Sequence, residues 1–322
     1  MKLPPPPAIP PVPDIGVERP LWSVMIPTYN CARYLRETLQ SVLIQDPGPQ
    51  SMQIEVVDDC STKDNPEAVV RELSPAGRVA FFRQPRNRGA NTNFNTCLER
   101  SRGELVHLLH GDDLVLPGFF DKVGNCFAAN WNVSIVATRS LIIDSRGQID
   151  AISARYPDLL KPTRDPGCLL QANGIATPGV VVKRSAYERR GGFRTDLVHT
   201  ADWEMWLRLI TLEGGMQLHE PLAQYRMHSS NDTSRLAQSA ENLRDYLRLA
   251  EYAAHLFPLF DMRRWRLRVA HLAREQASRF SHSRPPNFDA AAASLSLWRE
   301  LAPWNKRAMQ WLGARLTNWA QR

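Results

Sequence analysis

Residues 22–43 read WSVMIPTYNCARYLRETLQSVL. The pattern changes period midway. Trp22–Ile26 is a short β-rich run, and Leu35, Leu39, Val42 and Leu43, spaced i, i+4, i+7 and i+8, predict one face of a helix. Asn30 lies just ahead of that helix and is a residue type that caps one. Outward from here the alternation repeats. Further β-rich runs occur at Ile54–Val57, Val79–Phe82, Leu105–Leu109 and Val133–Ala137, with helical patterns between the first four. Strands alternating with helices predict an α/β chain with a mainly parallel sheet covered on both faces. Ligands of such sheets gather beyond the carboxyl ends of the strands. The chemistry is therefore sought in the segments that follow each strand.

Those segments are polar. The first strand runs into IPTYN, Ile26 to Asn30, and the second into VVDDCSTKDN, with Asp58 and Asp59 at its tip. NRG, Asn87 to Gly89, follows the third, and HGDDLVLPG, with Asp112 and Asp113, ends the fourth. Adjacent carboxylates repel and need a cation, a proton or hydrogen-bond donors. Oxygen ligands of this kind suit Mg²⁺ or Mn²⁺, and a cation so held offsets charge on a departing diphosphate. Each feature alone has a plainer reading: a DD pair is also a solvated turn, and PTYN is also a strand end. Their order and spacing carry the argument.

VMIPTYN, VVDDCSTKDN, NRGANTNFN and GELVHLLHGDDLVLPG, followed by GVVVKRSAYERRGGF, TADWEMWLRL and YRMHSS, resemble in this order the family 2 glycosyltransferases of the GT-A fold. The resemblance covers roughly residues 21–232. It implies a Rossmann-like, mainly parallel central sheet flanked by helices, with a C-terminal helical appendage. It also implies inverting transfer of a sugar from a nucleotide-diphosphate donor to an acceptor hydroxyl, with Mn²⁺ or Mg²⁺ as cofactor. The acceptor would be a saccharide or lipid-linked molecule, in cell-surface polysaccharide or glycolipid assembly.

Carried over by position, Pro27, Thr28, Tyr29 and Asn30 would line the nucleotide, with Asn87, Gly89 and Asn95 on the same donor site. Asp59, with Asp58 beside it, would recognise the base. Asp112 and Asp113 correspond to the metal and ribose carboxylates, with either of the two as the metal ligand, and His228 to a metal or diphosphate contact. Asp202 matches the catalytic base, and Gly191, Gly192 and Trp203 fall on the acceptor side. Three positions depart from the pattern: His110 where an acid is common, Ala201 where Glu is common, and Phe94 where an Arg precedes Asn95. Plainer roles stand beside these. Asp202 is also an acid at a helix N-terminus, Trp203 a core residue, and His228 and His110 structural histidines.

The chain has 322 residues. Its organisation reads as a Pro-rich disordered tail at 1–20, a glycosyltransferase domain at 21–232 and a helical region at 233–322. Within the domain, 21–143 would bind the nucleotide sugar and 144–232 the acceptor. The five cysteines are odd in number and lack a C-x-x-C pair, which argues against a disulfide framework or zinc site and fits a reducing cytosol. No membrane-spanning apolar run and no signal-peptide pattern occur, so a cytoplasmic location is expected. The net charge of +7 fits phosphorylated substrates, an anionic membrane or plain solubility.

Met262–Arg284 holds seven arginines and one acid, with Trp265 among them. Beyond it, Trp298, Trp304, Trp311 and Trp319 accompany Lys306, Arg307 and Arg315. The region reads either as helices packing their Trp side inward or as a peripheral membrane surface on the inner face. No nucleic-acid-binding motif is present, and none is expected as a partner. A sugar nucleotidyltransferase would need a Gly-rich loop where PTYN stands. A non-catalytic nucleotide-sugar-binding protein would not need the whole set Asp59, Asp112, Asp113, Asp202 and His228.

Overall fold

The computed structural model describes residues 3–302 except 15, 17, 131, 157–166, 171–172 and 229–231. Trp304, Trp311, Trp319, Lys306, Arg307 and Arg315 lie outside the described residues. The chain divides into two compact units, Met1–His228 and Ser229–Arg322.

The first unit alternates as its periodicity requires. It runs β1 (Trp22–Thr28), α1 (Ala32–Leu43), β2 (Met52–Asp58), α2 (Pro66–Leu73), β3 (Ala80–Arg83), α3 (Ala90–Arg100) and β4 (Leu105–Leu108). It continues through β5 (Leu114–Val115), α4 (Phe119–Ala129), β6 (Ile135–Ile143), β7 (Ile149–Ile152), β8 (Val180–Lys183), α5 (Arg184–Arg190), α6 (Ala201–Glu213) and β9 (Gly215–Arg226). The sheet order is β3-β2-β1-β4-β8-β6-β9-β5, with β7 on β6. β3, β2, β1 and β4 are mutually parallel. β8 joins β4 and β6 in antiparallel pairing, and β9 runs parallel to β6 and antiparallel to β5.

β1 and β2 are buried along their whole length, as strands covered on both faces must be. Leu35, Leu39 and Val42 of α1 sit in the core with Val24, Ile26, Ile54 and Val56. The cap of α1 differs from the expectation. Cys31 holds the N-cap position, and its thiol bonds to Thr28 Oγ1 rather than capping the helix. The Asp64 carboxylate, from the loop after β2, accepts from the Ala32 N–H at 2.7 Å instead. Asn30, at φ +51°, turns its carboxamide to the Thr62 and Lys63 N–H groups.

The Pro-rich stretch also differs. It was read as a disordered tail outside the fold, yet Ile9 is buried. The carbonyls of Pro4, Pro7 and Pro10 accept hydrogen bonds from Arg194, Gly192 and Arg184. Proline lacks an N–H, so such a run offers acceptors only, and donors elsewhere can dock it.

The second unit is helical, with α7 (Asp232–Gln238), α8 (Glu241–Leu256), α9 (Met262–His282) and α10 (Phe288–Leu301). Asp261 and Asn287 cap α9 and α10 through their side chains. Trp265, Val269, Ala273 and Ala277 form the buried stripe of α9. Among the described residues no helix is long and apolar enough to cross a membrane.

Candidate active site

Strand register brings the polar segments together. Thr28 pairs with Asp58 across β1 and β2. The Asp59 N–H donates to the Thr28 carbonyl at 2.9 Å, and the Gly111 N–H to the Pro27 carbonyl at 3.0 Å. Both acidic tips are thus tied to the end of β1. A side chain at Gly111 would be crowded, because a Cβ there would meet Cys31 Sγ and Thr28 Oγ1 at 3.0 Å. Tyr29 stands at this edge 47% exposed.

The first acidic pair is committed to its own loops. Asp58 accepts from the Ser61 N–H and hydroxyl, and Arg83 lies 3.3 Å from it. Asp59 accepts from the Arg88 and Gly89 N–H groups at 2.8 and 2.9 Å. Burial still raises the Asp59 carboxyl above its ordinary value, against the pull of those two N–H groups. Asn87 accepts from the Gly89 N–H in the same turn, where Gly89 has φ +84°.

The second pair is different. His110, Asp112 and Asp113 each offer a ligand atom, and the three atoms lie within 4.8 Å of one another. Asp113 is fully buried. One of its oxygens accepts from the Arg226 N–H at 2.9 Å. The other has no hydrogen-bond partner among the described residues, with His110 Nδ1 at 3.7 Å. Burial and then the charge of Asp112 push Asp113 well above the carboxylate range. His228 Nε2 lies 2.9 Å from Asp112 Oδ2, and its ring stacks on Tyr34 at 5.1 Å.

Sequence reasoning gave Arg226 no role. It is buried, donates from Nε to the Asp112 carbonyl, pairs with Glu37 at 2.6 Å and lies over the Tyr34 ring. The available signal was an arginine closing a strand of mixed polarity directly ahead of Met227 and His228.

Asp202 lies in the first turn of α6, after Thr200 at the N-cap. Its carboxylate accepts from Asn173 Nδ2 at 2.9 Å and from the Trp203 N–H at 2.7 Å. Burial raises its proton affinity, while the charges of His199 and His110 and these bonds oppose the shift. Asp202 thus feels the same His110 that stands beside Asp112 and Asp113.

Several expected site residues are occupied elsewhere. Trp203 is 3% exposed and donates its indole N–H to the Leu169 carbonyl, so it is core and no acceptor platform. Asn95 clamps the backbone of Phe193, donating to its carbonyl and accepting from its N–H. Gly191 and Gly192 are buried in a turn whose open sides are filled by Pro6, Pro7, Ile9 and Asn95. His110, read as structural, instead joins the carboxylates. It also stacks on Phe94, 4.9 Å away and nearly parallel at 14°. Two departures from the family pattern are therefore in contact with each other.

The family described as Glycosyl transferase family 2 matches residues 23–191, more than half of the chain. The uncharacterized protein MT1568 of Mycobacterium tuberculosis (strain CDC 1551 / Oshkosh) is 29% identical over 247 residues, 73% of this chain and 76% of that one. In structure the chain is similar to S. aureus TarS 1–349 in complex with UDP-GlcNAc, at TM-score 0.56 and 16% identity, over 89% of this chain and 92% of that one. It is also similar to the mannosyltransferase PcManGT from Pyrobaculum calidifontis in complex with GDP-Man and Mn²⁺, at TM-score 0.52 and 20% identity, over 93% and 81%. With its parallel strands β1 to β4 and carboxylates at their tips, the chain belongs to glycosyl transferase family 2 and is a glycosyltransferase of the GT-A fold.

Proposed function

We propose that this glycosyltransferase moves a sugar from a nucleotide-diphosphate donor onto an acceptor hydroxyl by direct displacement, inverting the anomeric centre, with Asp202 as the general base. The observation that carries the reading is the cluster of His110, Asp112 and Asp113 after β4, whose ligand atoms lie within 4.8 Å of one another, with Asp113 buried and one of its oxygens without a hydrogen-bond partner among the described residues. A base and a diphosphate-binding centre must share one cleft for such a displacement.

The donor set fits a hard divalent cation. Asp113 keeps a buried carboxylate oxygen without a hydrogen-bond partner, next to a second carboxylate and an imidazole. Asp112, Asp113 and His110, with His228 on Asp112, are the residues that would hold Mn²⁺ or Mg²⁺. Bound there, the ion supplies positive charge against the diphosphate leaving group. Tyr29, exposed at the end of β1, offers a ring face to the nucleotide base, and Asp59 holds the Arg88–Gly89 turn on its other side. Asp202 removes the acceptor proton as the new bond forms, help worth roughly 10²–10⁴ in rate. Asn173 and the Trp203 N–H aim its oxygens.

On this reading residues 21–143 bind the donor and 144–232 the acceptor. The structural neighbours hold UDP-GlcNAc and GDP-Man, so these two donors are assayed first, each with and without Mn²⁺. Transfer with inverted anomeric configuration is expected, together with an Asp202→Asn variant that binds the nucleotide and loses turnover. Near wild-type turnover in that variant overturns the assignment.

We also read α9 as a peripheral contact with an anionic membrane, the setting of a lipid-linked acceptor. Arg263, Arg264, Arg268, Arg274 and Arg279 are exposed on it, and its one acid, Glu275, is paired with His271. Leu267 stands among them 57% exposed, and Leu259, in the preceding turn, is 95% exposed. Each arginine near such a surface contributes about 1 kcal/mol. Co-sedimentation with phosphatidylglycerol vesicles but not with phosphatidylcholine vesicles is expected. Equal recovery in the supernatant from both refutes it.

A further inference from the structure

We infer that residues 4–10 are a positioning strap for the catalytic helix, holding from behind the turn that sets Asp202 and the Phe94–His110 stack. The inference rests on Asp202 being the base.

The strap makes three backbone contacts with one region. Arg194 donates to the Pro4 carbonyl at 2.5 Å, the Gly192 N–H to Pro7 at 2.7 Å, and Arg184 to Pro10 at 3.0 Å. Ile9 is buried against Gly192, where an added Cβ would meet its Cδ1 at 3.0 Å. At Gly191, φ is +81° and a Cβ would meet Pro6 and the Pro7 carbonyl at 2.8 Å. The turn is cut to receive the strap.

From that turn two routes lead to the chemistry. The Arg194 guanidinium, tethered to Pro4, lies 3.0 Å from Glu204, which is 1% exposed and two residues beyond Asp202 on α6. Arg208 grips the same Glu204 carboxylate through both oxygens at 2.9 Å, and it donates to the carbonyls of Arg190, Gly191 and Gly192. The helix and the turn therefore share one buried ionic knot, and the strap closes its far side. The second route is apolar. Phe193, clamped by Asn95, packs edge-on against Phe94, which stacks on His110. Loosening the strap takes the Pro4 carbonyl from Arg194 and leaves the buried Glu204 carboxylate to Arg208 alone, so the knot that ties α6 to the turn is held from one side only. A displacement of the base of about 1 Å lowers the rate steeply.

The test is deletion of residues 1–10, read in two independent ways. Hydrogen exchange is expected to quicken at the Gly191, Gly192 and Phe193 amides and in the first turn of α6. Turnover is expected to fall about tenfold or more with donor KM within about twofold, and a peptide of residues 3–14 added in trans is expected to restore it. Should the deletion unfold the chain, Ile9→Ala in the full-length protein carries the same two readouts. Unchanged exchange in α6, or parallel loss of kcat and donor affinity, overturns the strap. The exchange arm needs no activity, so a failed strap is distinguished from a failed assignment of Asp202, which Asp202→Asn reads by itself.

Discussion

Arg226 donates its backbone N–H to Asp113 at 2.9 Å, and its side chain reaches back to the carbonyl of Asp112. One arginine at the end of β9 thus sets the height of both carboxylates at the end of β4. The guanidinium is buried, pairs with the Glu37 carboxylate and lies over the Tyr34 ring.

Arg226→Met keeps the length of the side chain and removes its donors. The Asp112 carbonyl then loses its partner, and stability is expected to fall by about 1–3 kcal/mol in urea unfolding. Mn²⁺-dependent transfer should fall further than the stability loss explains.

Asp113→Asn separates metal holding from folding. The amide oxygen keeps the bond from the Arg226 N–H. It removes a buried charge beside Asp112, the arrangement that pushes Asp113 above the carboxylate range. The metal-free variant is expected to melt above wild type and to lose the thermal shift caused by Mn²⁺. A wild-type Mn²⁺ shift in the variant excludes Asp113 as a ligand.

The legible part of the fold was periodic. Strand and helix of residues 22–43 were readable because burial on both faces and one-sided burial leave different spacings. What escaped was long-range. Asp64 caps α1 from a loop beyond the next strand, and no local signal at Asn30 reveals that. Motif position placed Trp203, Asn95, Gly191 and Gly192 near the site but not on the face they occupy. His110 and Phe94 looked like two separate losses, while in space they form one stacked pair. The prolines read as disorder because composition records missing donors and not the acceptors that remain.

Trp203→Ala distinguishes core from acceptor platform. With the indole buried and bonded to the Leu169 carbonyl, the change is expected to cost about 3–5 kcal/mol of stability. In protein that remains folded, acceptor KM should stay within about twofold, since only loss of a direct contact raises it alone.

As the proposed base, Asp202 is expected to set the acid limb of the pH–rate profile. A base works only when ionised, and burial raises its proton affinity. Activity should therefore fall with decreasing pH at a value above the ordinary carboxylate pKa of about 4. Asn173→Leu removes a bond that favours the ionised form, so the limb should move to still higher pH. The linkage to stability runs in the opposite direction. The folded state binds this proton more tightly than the unfolded, so the contribution of Asp202 is present below the ordinary pKa and is lost as pH rises through the raised one.

β9 runs parallel to β6 over its length and lays its last residues antiparallel to β5, directly behind Asp113. During synthesis the parallel strands β1 to β4 leave the ribosome first, with both acidic tips already in the nascent chain. Their second pair has no Arg226 or His228 to lean on until translation passes residue 228. A polypeptide released before β9 therefore lacks the residues that hold Asp112 and Asp113, because the last strand of the unit and the residue two beyond it supply them.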